Sequence, residues 1–93
     1  MSYYIPSYDE RRKQIKTRAD LVAQLNQAHQ LEQVIKTRLR NETRHVHPAP
    51  ESVIRALSPK TAQQLRRARE VVRQLQSNFY KITAECKINE HKD

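Results

Sequence analysis

Glycine is absent from all 93 residues. Nothing in the chain is therefore free to take positive φ or to let a phosphate come close to bare backbone. That excludes the phosphate-cradling loop, the dinucleotide fingerprint and the nucleophile elbow. Cys86 is the single cysteine, so no disulfide can close within the chain and a reducing, intracellular compartment is the default. No apolar run approaches the roughly 20 residues that span a bilayer, and the segment Met1 to Pro6 lacks a basic region followed by an apolar one. No membrane partner is expected. A cytoplasmic location is, or a nuclear or nucleoid-associated one if the chain binds nucleic acid. Tryptophan is missing and aromatics make up 5% of the residues, which leaves few platforms for stacking bases.

The residues that are plentiful, Gln, Arg, Leu, Ala and Glu, favour helices over strands, and an all-α class follows. A chain of this length forms one domain at most and buries only about 60–65% of its unfolded surface, so a partner is expected to contribute to stability. Eighteen Lys and Arg face ten Asp and Glu. Residues 36–73 hold ten of those cations against Glu42, Glu51 and Glu70, or seven of the eight net positive charges. Arg outnumbers Lys eleven to seven, and its forked guanidinium matches phosphates and carboxylates.

The chain is expected to run as a strap (1–7), a long helix (8–45), a short helix (51–57), a second long helix (59–88) and a tail (89–93). Ser7 and Glu10 have capping-box spacing. Pro48 and Pro50 stop the first helix, and Ser58 before Pro59 starts the last. Leu21, Leu25, Ala28, Glu32, Ile35 and Leu39 recur at heptad spacing, with Ile15 and Ala19 extending that face. Leu65, Ala68, Val72, Leu75, Phe79, Ile82 and Cys86 form a second seam. Folded back as an antiparallel hairpin, seam positions pair with numbers summing to about 104, matching Leu39 with Leu65, Ala28 with Leu75, Leu25 with Phe79 and Leu21 with Ile82 or Thr83. Val22, Leu31, Val34, Val53, Ile54 and Leu57 exceed what one partner helix covers, which predicts a homodimer, as a four-helix bundle or coiled coil.

This register gathers charge at the turn of the hairpin. Lys36, Arg40 and Arg44 on the first helix come beside Lys60, Arg66, Arg67, Arg69 and Arg73 on the last, and the open end is left near neutral. Cations late in the first helix meet the negative end of its dipole, and charged helix faces are commonly just solvated. Neither reason explains Lys60, Arg66 and Arg67, which crowd the positive end of the last helix, where bare amides attract anions. Those eight residues are the expected contact set for DNA or RNA phosphates. The alternative is an interaction subunit that docks an acidic or coiled-coil protein. Glu32, the one polar seam member, either reaches outward to Lys36 or fixes the register.

No cofactor or metal is expected. His45 and His47 are expected at the opposite end of the hairpin from Cys86 and His91, so one ion would need two molecules to bind all four. His29 reads as a surface residue, and Cys86 as a small seam residue. The long–short–long helix order and the abundant arginine resemble the small all-α chorismate mutases in topology and length, which would imply a dicarboxylate held between helices. The residues point elsewhere. The first helix offers no paired Arg and Lys on its buried face, its seam is aliphatic, and no enzymatic activity is expected.

Overall fold

The computed structural model describes residues 3–91, with side chains over residues 3–86. Its elements are α1 (Tyr8–Lys13), α2 (Arg18–Glu42), a 3-10 turn (Arg44–Val46), α3 (Glu51–Leu57), α4 (Pro59–Ser77) and α5 (Phe79–His91). No strand occurs among the described residues. The expected tail and the charges of Lys87, Glu90, Lys92 and Asp93 lie largely outside the described side chains.

Two breaks interrupt what the periodicity predicts as unbroken helices. The single helix expected over 8–45 stops at Lys13 and restarts at Arg18, because Thr17 and Asp20 form a complete capping box. The Thr17 hydroxyl accepts from the Asp20 amide at 3.2 Å, and the Asp20 carboxylate accepts from the amides of Thr17 and Lys16 at 3.2 and 3.0 Å. Those amides hold the Asp20 carboxyl below its ordinary value. At such a box the chain exchanges continued helix bonds for local side-chain bonds of similar strength. The helix expected over 59–88 is likewise divided at Asn78. The Asn78 side-chain amide and backbone N–H both donate to the Gln74 carbonyl, at 2.8 and 3.1 Å, and the residue leaves the helical well at φ −101°, ψ 11°.

The Ser7 box is only half made. Ser7 Oγ accepts from the Glu10 amide at 3.2 Å, but the Glu10 carboxylate accepts from the Tyr4 hydroxyl instead of returning to Ser7. Near the turn, Thr43 is fully buried and its hydroxyl donates to the Leu39 carbonyl at 2.8 Å. That hydroxyl has no second proton, so at 3.0 Å it accepts from His47 Nε2, which must be the protonated ring nitrogen. The His47–Pro48 peptide is cis.

α2 packs chiefly on α4 and then on α5. Ile35, Leu65 and Ala68 form one core cluster, with Tyr3, Ile5, Leu31 and Leu39 against it. Leu21, Ala28, Leu75, Ile82 and Cys86 belong to a second, with Tyr8, Leu25 and Phe79 against it. Within α2, Leu21, Ala28 and Ile35 are fully buried, whereas Leu25, Glu32 and Leu39 are only half-buried. Ala19, expected on the apolar face, is exposed, because it falls in the first turn after the Thr17 cap, which re-aims the helix.

The molecule measures 56 × 23 × 16 Å with a radius of gyration of 16.3 Å, against about 12 Å for a compact domain of this length. It is an elongated, shallow molecule. One side is crossed by the amino-terminal segment. Tyr3 lies under the Arg38 guanidinium at 5.3 Å, Arg11 donates to Gln24 at 2.9 Å, and Arg12 pairs with Glu85. Arg11 is buried, burial pulls its guanidinium below the ordinary value, and its Nε has no partner. α3 packs on α4.

Candidate functional site

The ten cations and three carboxylates of residues 36–73 sort into two groups. Each carboxylate is taken by an arginine on its own helix: Glu42 by Arg38 at 3.2 Å, Glu51 by Arg55 at 2.9 Å and Glu70 by Arg73. These are i,i+4 and i,i+3 pairs, the spacings at which helix side chains meet. Among the described residues, Lys36, Arg40, Arg44, Lys60, Arg66, Arg67 and Arg69 join no ion pair, and all seven are exposed. Seven of the eight expected contact residues are thus unneutralised. The eighth, Arg73, is held by Glu70, which in turn is kept below the ordinary carboxyl value by Arg73.

The fold does not bring all eight to one face. Arg66, Arg69 and Arg73 line a cleft of about 220 Å³ with Leu39, Ile54 and Arg55. Lys36 and Arg40, four residues apart on α2, share one exposed face of that helix, and neither lines the cleft. Lys60 and Arg67 line other depressions. Lys60 lines a depression with Glu42 and Ser58, and Arg67 lines one with Tyr3, Tyr8 and Gln74. Arg44 sits apart in the 3-10 turn. The division follows from helix geometry, since Arg66 and Arg67 are successive residues and lie about 100° apart around the axis.

Glu42 is the residue that sequence reasoning missed. Its carboxyl is held below the ordinary value by the Thr61 hydroxyl first, then by Arg38 and the Ser58 hydroxyl. Thr61 is 7% exposed and lies in the first turn of α4. The start of α4 therefore already has an anion beside it, supplied by the end of α2. Ser58, expected to cap α4 itself, makes no side-chain cap and serves Glu42 instead. The signal was present in an acidic residue close before the turn and two hydroxyls close after it. Only the three-dimensional register could join them.

Glu32 is half-buried and forms no ion pair with Lys36 or any other described residue. No cluster of three or more metal-ligating side chains occurs among the described residues, and the His91 side chain lies outside them. No described helix is long and apolar enough to cross a membrane. No protein-family model, curated protein or solved structure matches this chain.

Proposed function

We propose that this chain is a small basic nucleic-acid-binding protein, an accessory or regulatory factor that holds DNA or RNA by its phosphates through an antiparallel helical hairpin. The single observation that supports the reading is the pairing of all three carboxylates in residues 36–73, which leaves seven exposed cations with no ion-pair partner among the described residues. Uncompensated guanidinium and ammonium groups concentrated at one end of a rod gain most from releasing the counter-ions condensed on a phosphate backbone. Lys36, Arg40, Arg66 and Arg69 are the principal contacts in this reading, because all four are exposed, join no ion pair among the described residues and stand on the two helices that pack together.

The test is a salt titration of binding to a duplex DNA and a structured RNA. Affinity falls with salt on a log–log plot by about 0.9 per duplex phosphate neutralised and depends little on sequence. Replacing Lys36, Arg40, Arg66 and Arg69 together with Ala flattens the slope by roughly three to four units without loss of helicity. Absence of binding by the unaltered protein at about 50 mM salt refutes the reading.

A second reading has its own observation. Val53 and Leu57 are exposed at 41% and 47% and stand one turn apart on α3, and Val22 and Val34 on α2 are exposed at 41% and 50%. This favours an interaction subunit covered by a second copy of itself or by an acidic or coiled-coil protein. Sedimentation at micromolar concentration decides the homodimer: a monomer throughout removes it.

A further inference from the structure

The cleft between α3 and α4 carries more information than the surrounding basic surface. Glu51 with Arg55 and Glu70 with Arg73 neutralise four of the six charged residues on its rim. What remains is Arg66 and Arg69, unpaired, three residues apart on α4. That spacing places them on one face with a rise of about 4.5 Å, close enough for both guanidiniums to converge on one group. The floor below them is apolar, built from Leu39, Ile54 and Leu65.

We propose that this cleft binds a sugar phosphomonoester, with Arg66 and Arg69 on the phosphate and the carbon face of the sugar on Leu39 and Ile54. The inference rests on the phosphate-binding reading above and deepens it. Charge balance selects the monoester. An internal phosphodiester or a lone carboxylate brings one negative charge to two free guanidiniums, whereas a monoester brings about 1.5 to 2 at neutral pH and accepts forked hydrogen bonds from both. Size selects the sugar. At about 220 Å³ the cleft is smaller than the roughly 300 Å³ at which pockets begin to enclose a whole drug-sized ligand. No aromatic residue lines it, so an attached base is not stacked there. The same chemistry comes from two sources, the terminal phosphate of a nucleic-acid strand and a free nucleoside monophosphate.

The experiment uses the full chain and a short labelled duplex prepared with and without terminal phosphates, with a nucleoside monophosphate as the third probe, all at about 50 mM salt. The phosphorylated duplex is expected to bind about tenfold more tightly than the hydroxyl-ended one, the effect of one additional charge-assisted contact. In the Arg66→Ala/Arg69→Ala double variant that preference disappears. Arg66→Lys/Arg69→Lys, which keeps the charge but not the fork, retains only part of it. Lys81→Ala, which removes an exposed cation of α5 outside the cleft, leaves it unchanged. Unaltered circular dichroism shows that the variants still fold. Equal binding of both duplexes overturns the cleft and leaves the nucleic-acid reading standing. Binding of the free monophosphate alone, lost in the double variant, supports the cleft and overturns nucleic acid as its source. If none of the three probes binds, both proposals fall.

Discussion

The carboxylate of Glu42, the last residue of α2, is held below its ordinary value chiefly by the hydroxyl of Thr61, in the first turn of α4. The contact joins the two halves of the chain across a turn of eighteen intervening residues, 43–60. It places a carboxylate at the positive end of a helix whose own first turn contains no acidic residue.

A carboxyl held below its ordinary value contributes stability that is present above its unfolded value and lost as pH falls through its folded one. Glu42, Asp20 and Glu70 are all shifted this way. Thermal unfolding followed by circular dichroism should therefore show a midpoint that declines as pH drops below about 4. Glu42→Gln should unfold at a lower temperature than the parent at neutral pH, with the gap closing in acid. A gap that stays constant from neutral to acid pH would mean that the charge of Glu42 contributes nothing.

Thr17→Ala removes the hydroxyl that caps α2. Loss of about 1 kcal/mol of unfolding free energy is expected in a denaturant titration. Thr17→Ser restores most of it. If Thr17→Ala were neutral, the break between α1 and α2 would owe nothing to the cap.

Glu32→Leu places an aliphatic side chain at a half-buried seam position that has no ion pair among the described residues. A higher denaturation midpoint is expected, since a partly buried charge without a partner gains little from its site. A loss of several kcal/mol would show that Glu32 is held by a cation in a partner molecule, and sedimentation of the variant would then reveal a changed oligomeric state.

Lys60 and Arg67 lie outside the cleft, in depressions that Glu42 and Glu70 respectively also line. Replacing both with Ala should lower the salt slope of nucleic-acid binding by at most about one unit, against roughly two for Arg66 and Arg69. Equal effects would mean that phosphates wrap the whole tip and that the cleft is not distinct from the rest of it.

The helical class was legible in the absence of glycine and in the heptad spacing of Leu21, Ala28, Ile35, Leu65, Leu75 and Ile82, since burial at those positions follows directly from periodicity. The breaks at Thr17 and Asn78 were less visible. Each is decided by a short polar side chain that competes with the helix for one backbone group, and such competition leaves no periodic trace. The cations of the site were legible as a local excess of charge. Their separation over different parts of the surface was not, because a list of basic residues omits the angle at which each leaves its helix. The Glu42–Thr61 contact was hidden for a different reason: it depends on the alignment of two distant segments, and local spacing is silent about that.

A molecule 16 Å deep gives each core side chain few neighbours other than those directly across the seam. The two clusters, one around Ile35 and the other around Leu21 and Leu75, are arranged like successive teeth of a zip. Substitutions in different clusters should therefore add, as they do for distant sites without shared partners. Opening is expected to begin at the ends and spread inward, as in repeat proteins, where contacts are between neighbours. The end near Ile35 is then expected to fray and re-close independently of the end near Leu21.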